Sequence, residues 1–207
     1  MIKAGRTPVP LLKESRYVLH ILPLASFSGS FRINPGAIDR KDRISLLGPV
    51  NSFKEHYNLD GVVLASGIGD KGYVKYMQLF RNGALEATGF IGSTMDERKY
   101  IPLFRFAGLR DGLITQLPTL LAMGISGPVV VALSLLSVAG YKIGHQEFTS
   151  PVDRDDLELP EVWVESIDEL RGNIDAVMRP IFDMLFQCFD EQRCDFYDGD
   201  GNWILKL

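Results

Sequence analysis

Histidine and cysteine are scarce in this chain. His20, His56 and His145 lie far apart in sequence, and Cys188 and Cys194 are the only thiols in 207 residues. No serine stands in a G-x-S-x-G elbow, so neither a Ser/His nor a Cys/His nucleophilic arrangement has support in the sequence. His20 falls inside an apolar run and reads as a structural, hydrogen-bonded histidine rather than a catalytic one. The two cysteines lack the further partners that a disulfide framework or a metal site requires, and read as reduced thiols of a cytosolic protein. An excess of positive charge is missing as well. Twenty-two Lys and Arg against 26 Asp and Glu leave a net charge of −4, which argues against the basic surface on which phosphate neutralisation depends. The richest basic group, Arg98, Lys99, Arg105 and Arg110, would spread over more than one face of a helix and reads as solvated charge.

Two further absences matter. The opening Met1-Ile2-Lys3-Ala4-Gly5-Arg6 has no apolar h-region, so no secretory signal is expected. Between Gly112 and Tyr141 there is no charged residue, and the stretch is longer than a bilayer span needs. Pro118, Gly124, Gly127 and Pro128 interrupt it, however, and divide it into a helix, a turn and a strand, each half too short to cross lipid. No membrane partner is expected.

What is present is ordinary globular material: 46% hydrophobic and 23% charged residues, far from the composition of disordered chains. The length suits a single domain over residues 1–207 with one continuous core. Val18 to Ala25 reads as a buried strand, followed by a Ser/Gly-rich loop from Ser26 to Ser30. Asn34 to Tyr57 reads as a long surface loop, and Leu59 to Ser66 as a second strand. A hairpin joins Tyr73–Phe80 to Ala84–Thr88 through Arg81-Asn82-Gly83, where a two-residue type I′ turn would set Phe80 opposite Leu85 and Gln78 opposite Ala87. Phe106, Leu109, Leu113, Leu117 and Leu120 recur at helical spacing within about Lys99 to Met123, with Pro118 kinking or dividing the helix and Gly124 as a C-cap. Val129 to Val138 is apolar throughout and predicts a central strand covered on both faces. An acidic loop, Pro151 to Glu161, leads to a short strand over Val162–Glu165. The stripe Ile174, Val177, Met178, Ile181, Phe182, Leu185 and Phe186 then predicts a last helix from about Asn173 to Phe189, with Pro180 as a kink or its first turn. The fold class is therefore α+β: a mixed, largely antiparallel sheet with two main helices packed on one face.

Three motifs suggest chemistry. Gly67-Ile68-Gly69-Asp70-Lys71-Gly72-Tyr73-Val74 matches the glycine-rich letters of nucleotide-binding loops. A dinucleotide loop must open a helix, though, and here a strand follows, while the downstream lysine, HRD-type and DFG-type elements of a kinase are missing. An inter-strand turn is the primary reading. Its alternative is an anion or nucleotide contact made by Gly67, Gly69, Lys71 and Gly72 with Arg81. Asp198, Asp200 and Asn202 resemble alternate calcium ligands, but Trp203 stands where the glycine is required, and the segment reads as a tight turn. Asp153, Asp155, Asp156, Glu158 and Glu161 could hold a divalent ion or supply paired acid and base, with Arg154 partly neutralising them; a solvated loop is the primary reading. No cofactor and no catalytic residue is expected.

Four segments together resemble one family: VLHILPLASF at Val18–Phe27, YNLDG at Tyr57–Gly61, YMQLFRNGALEA at Tyr76–Ala87 and LPEVWVE at Leu159–Glu165, with DGDGNW at Asp198–Trp203 similar to the way that family's chains end. They look like the C-terminal region of bacterial proteins whose N-terminal half is a Schlafen/AlbA-type DNA-binding or ATP-binding domain. The likeness runs from about Thr7 to Trp203, through strand, turn and packing segments that carry no chemistry, and the Schlafen/AlbA-type part is absent from these 207 residues. The resemblance implies a non-enzymatic, cytoplasmic accessory domain for sensing, partner binding or homo-oligomerisation. It would serve a Schlafen/AlbA-type partner in regulation or in defence against foreign nucleic acid. A nucleic-acid or nucleotide binder is the alternative, and a metal-assisted hydrolase on the acidic loop the third reading.

Overall fold

The computed structural model describes residues 2, 6–29, 31–41, 43, 52–67, 71–144 and 149–205. Its centre is an eight-stranded sheet in the order β10-β8-β1-β5-β4-β3-β2, with β11 also pairing with β8. The strands are β1 (Arg16–Pro23), β2 (Lys54–Tyr57), β3 (Gly61–Gly67), β4 (Tyr73–Phe80), β5 (Leu85–Phe90), β8 (Val129–Leu136), β10 (Asp156–Glu158) and β11 (Val162–Val164). All pairings in this sheet are antiparallel. A small second sheet holds β6 (Ser93–Met95), β7 (Arg98–Ile101) and β9 (Lys142–Ile143), and there β9 runs parallel to β7. The helices are α1 (Phe104–Ala122), α2 (Ile167–Gly172) and α3 (Ile174–Gln187). The fold is α+β, with the two long helices and the short one packed on the sheet.

Alternation within the strands decides which face the helices cover. Leu19, Ile21, Met77, Leu79, Leu85, Ala87, Val129, Val131, Leu133 and Leu135 point to one side and share a core with Phe106, Leu109, Leu113 and Leu117 of α1 and Met178, Ile181, Phe182 and Leu185 of α3. On the opposite face Val63, Ala65 and Tyr76 are covered by Val9 of the N-terminal segment. That segment is tied to β4 by the Tyr73 amide, which donates to the Pro10 carbonyl at 2.9 Å, and by the Leu12 amide, which donates to the Tyr73 carbonyl at 3.1 Å.

Several boundaries and one register differ from expectation. The hairpin exists, but Leu79 faces Leu85, Gln78 faces Glu86 and Met77 faces Ala87, one residue away from the predicted pairing. The turn has three residues rather than two: Gly83 alone is left-handed, with φ +87°, and the Phe80 amide donates to the Ala84 carbonyl. This is the type I turn with a glycine bulge that Asn-Gly also permits. The shift puts the apolar pair Leu79–Leu85 on the core face and the polar pair Gln78–Glu86 on the other. A Cβ on Gly83 would stand 2.7 Å from the Phe31 ring, so Gly83→Ala should cost about 1–3 kcal/mol. Urea unfolding measures this, and a loss below ~0.5 kcal/mol would contradict the bulged turn.

The helix predicted from about Lys99 begins at Phe104, because Arg98–Ile101 is strand β7, paired with β6 through a turn at Asp96 and Glu97 that both adopt positive φ. No Asn-Gly marks that turn. α1 continues through Pro118, and its end is closed by Gly124 at φ +79° with the Ile125 amide donating to the Leu120 carbonyl, a Schellman-type cap. β8 was expected to be covered on both faces. Instead Val129, Val131, Leu133 and Leu135 are buried while the residues between them are half-buried. The long loop over Asn34–Tyr57 contains the edge strand β2, and the acidic loop contains β10, with Leu157 inward and Asp156 and Glu158 outward. α2 is not among the expected elements; Ser166 caps it by accepting from the Glu169 amide, and the Glu169 carboxylate accepts from the Glu165 amide one residue before the cap. α3 starts at Ile174, so Pro180 lies in its interior and not in its first turn. Among the described residues no helix is long and apolar enough to cross a membrane.

Candidate functional site

Among the described residues of the expected anion site, Gly67, Lys71 and Gly72 lie together and Arg81 lies apart from them. Gly67 and Gly72 meet where β3 gives way to β4, so closely that a Cβ on Gly67 would lie 2.4 Å from the Gly72 carbonyl oxygen. Lys71 adjoins them, and Gly69 lies outside the described residues. Arg81 is at the far end of β4, roughly 30 Å from Gly72 at the rise of an extended strand. There it holds the β2–β3 turn: Nε donates to the Leu59 carbonyl at 3.0 Å, and its own amide donates to the Asp60 carbonyl at 2.7 Å. The Tyr73 amide, which a phosphate-binding loop would offer to an anion, is already spent on Pro10.

The other candidates fare similarly. Asp198 accepts from the Asp200 and Asn202 amides at 3.0 and 2.8 Å, and these amides hold its carboxyl below the ordinary range; the segment is the expected tight turn, closed by the Tyr197–Trp203 bridge. No group of three His, Cys, Asp or Glu suited to a metal occurs among the described residues, the acidic loop included. Cys194 is buried, and that burial pushes its thiol up to about 12 despite the Phe196 amide; Cys188 is likewise pushed up by burial. Both shifts disfavour the thiolate form that a nucleophilic cysteine uses. Arg110 is held by Asp175, Nε to Oδ1 at 2.6 Å and Nη2 to Oδ2 at 2.8 Å, which removes it from any basic patch.

Sequence reasoning missed one polar cluster. On the face away from the helices, β1, β5 and β4 lay His20, Glu86 and Gln78 side by side in register. Glu86 accepts from His20 Nε2 at 2.8 Å and from the Tyr76 hydroxyl at 2.5 Å. Burial pushes the Glu86 carboxyl up, but the two hydrogen bonds and the neighbouring His20 outweigh it and leave it below its ordinary value. Burial and the same carboxylate push the Tyr76 phenol up. The cluster orients a histidine, yet no serine, threonine or cysteine hydrogen-bonds to His20 among the described residues, so it lacks the nucleophile that acyl transfer needs. His56 sits four strands away, about 19 Å at the usual strand spacing, and His145 is outside the described residues. Only the register could have revealed the trio, since Gln78 and Glu86 are opposed solely because of the bulged turn.

A different surface stands out at the end of the sheet where β1 and β4 finish. The 3-10 turn Leu24–Phe27, the β2–β3 turn and the β4–β5 turn meet there. Ser26 Oγ donates to the Asn82 carbonyl at 2.8 Å and Asn82 Nδ2 to the Ser26 carbonyl at 3.4 Å, while Arg81 binds Leu59 as described. These bonds tie the turns that carry large exposed apolar side chains: Phe27 is 72% exposed and Leu59 is 90% exposed, and Leu24 and Tyr57 are exposed as well. Arg32, Leu59, Asp60, Phe80, Arg81 and Asn82 line a shallow cleft beside them. Compared with models of protein families, with curated proteins and with solved structures, the chain matches none.

Proposed function

We propose that this chain is a non-enzymatic accessory module that docks a protein partner through the turn-bearing end of its sheet. The observation that carries this reading is the exposure of Phe27 and Leu59 on turns cross-linked to the Arg81–Asn82 hairpin tip. Exposed apolar side chains held rigidly together lose little conformational freedom on binding and gain from leaving water. Arg32, exposed beside them without a salt bridge among the described residues, favours a partner surface with an apolar pocket flanked by carboxylates. The resemblance to the C-terminal region of Schlafen/AlbA-type proteins supports such a Schlafen/AlbA-type unit as the partner.

Native mass spectrometry of the chain mixed with a Schlafen/AlbA-type unit should show a stoichiometric complex. The double substitution Phe27→Asp and Leu59→Asp should weaken it at least about tenfold. Because both side chains already face solvent, the thermal midpoint should move by no more than about 3 °C. A strict monomer in the mixture, or equal binding by the double variant, would sink the proposal.

A further inference from the structure

Two arginines are almost wholly withdrawn from solvent, and they are treated differently. Arg43, 7% exposed, has the Glu55 carboxylate at 2.9 Å and the Pro35 carbonyl at 3.3 Å. Arg16, 4% exposed, has no carboxylate partner among the described residues. Its Nη2 donates to the Leu12 carbonyl, its guanidinium carbon lies 5.6 Å from the Phe90 ring centroid, and its buried Nη1 has no hydrogen-bond partner among the described residues. Burial lowers its pKa, opposed by the nearby Tyr76 and Glu14, but a guanidinium stays charged in any folded protein. An unpaired buried cation is costly enough that it calls for an anion.

Arg16 also lines a cleft of about 600 Å³ between the N-terminal segment and the ends of β1 and β8, a volume typical of small-molecule sites. Lys13 brings a second cation, Ser15, Ser137 and Tyr141 bring hydroxyls, and Leu11 and Leu136 bring apolar walls; among the described residues that line it, Glu14 is the one carboxylate. Ser137 holds a left-handed backbone at φ +59° at the mouth of this cleft. Gly92 permits its inner wall, since a Cβ there would stand 2.1 Å from the Tyr141 ring and 2.4 Å from Ser15 Oγ.

We infer that this cleft binds a small organic anion, its carboxylate or phosphate held by Arg16 and Lys13 and its apolar body lying against Leu11 and Leu136. Nη1 is shielded from water in the free chain and acquires its partner when the anion enters and the Leu11–Glu14 segment gives way slightly. Bound this way, the ligand would cross-link the N-terminal segment to the sheet. The site is at the opposite end of β1 from the apolar turns, so it stands or falls independently of partner docking.

Calorimetry and thermal shift with hexanoate, hexyl phosphate, inorganic phosphate and neutral hexanol test it, together with the Arg16 Nε–H resonance. Saturable binding of hexanoate or hexyl phosphate below about 10 mM, a moving Arg16 resonance and no comparable effect of hexanol are expected. The stronger of the two anions identifies the headgroup, and inorganic phosphate should bind at least about tenfold more weakly than hexyl phosphate for want of an apolar body. Lys13→Gln, at an exposed position, should weaken binding at least about threefold without altering the fold. Arg16→Gln should abolish it. If Arg16→Gln does not fold, the Lys13→Gln affinity and the wild-type resonance decide. No saturable binding of either organic anion, equal binding of hexanol, or a bound anion that leaves the Arg16 resonance still would overturn the inference.

Discussion

Replacing Glu86 with alanine should lower the unfolding free energy by about 2–4 kcal/mol, because one carboxylate satisfies two side chains on the sheet face away from the helices. Tyr76 is 1% exposed, so its hydroxyl, now donating to Glu86 at 2.5 Å, would be left buried without an acceptor. His20 would lose its partner as well, at smaller cost because its side chain is 33% exposed. Glu86→Gln keeps the acceptor oxygen and removes the charge, and should fall between the two. Urea unfolding of the three proteins measures this, and a loss below ~1 kcal/mol for alanine would mean that the Tyr76–Glu86–His20 contact is not a structural tie.

The same residues contribute to the pH dependence of stability. The folded Glu86 carboxyl lies below its ordinary value of 4.5. Its contribution is therefore complete above that pH and is lost as the pH falls through the folded value, since the unfolded chain takes up the proton first. Tyr76 is the opposite case, with a folded phenol raised above its ordinary 10.0 by burial and by Glu86. Its contribution is present below pH 10 and declines above it, as the unfolded chain loses the proton first. Tyr17, raised mainly by burial, adds to this alkaline decline. Glu86→Ala should flatten the acid limb, and Tyr76→Phe should flatten the alkaline one.

The helices and the longer strands could be read in advance because their signals are local. Phe106 to Leu120 repeats at helical spacing over a helix that buries those residues, and Ile174 to Phe186 does the same for α3. What was not legible depended on pairing. Asp96 and Glu97 form a hairpin turn without glycine or asparagine, so nothing local marks β6, and the residues of β7 from Lys99 read as the start of the following helix. The Asn82-Gly83 turn suits two loop lengths, and one extra residue decided whether Gln78 faced Glu86 or Ala87. The polar trio follows from that decision, which periodicity cannot make. Of the glycine-rich letters from Gly67 to Gly72, the two described glycines serve a close approach between β3 and β4, in keeping with an inter-strand turn: a Cβ on Gly67 would meet the Gly72 carbonyl. The exposed turns were equally opaque, because Phe27 and Leu59, more than thirty residues apart, converge only through the order β1-β5-β4-β3-β2.

Phe106→Ala should be the most damaging single truncation, at about 3–5 kcal/mol. The ring is fully buried and sits among three others, with centroids 5.7 Å from Phe182, 5.6 Å from Phe186 and 5.4 Å from Phe196. Phe182 and Phe186 belong to α3, whereas Phe196 lies in the C-terminal segment, where it contacts Trp203 at 5.7 Å. Removing the Phe106 ring therefore opens a cavity where α1, α3 and the C-terminal segment meet. That segment is otherwise held by side chains of the same two helices: Phe186 lies 5.1 Å from Phe196, Phe182 lies 6.0 Å from Trp203, the Cys194 amide donates to Asp183, and Arg110 stacks 5.3 Å from the Trp203 ring. Its amides from Phe196 to Trp203 should accordingly exchange faster than those of β1 and β8 in the variant, by more than the global loss accounts for. Phe106→Leu, which refills part of the volume, should recover at least about half of the stability. A uniform rise in exchange across sheet and C-terminal segment would instead mean that the aromatic cluster and the sheet open as one cooperative unit, with Phe106 acting on both through a single shared core.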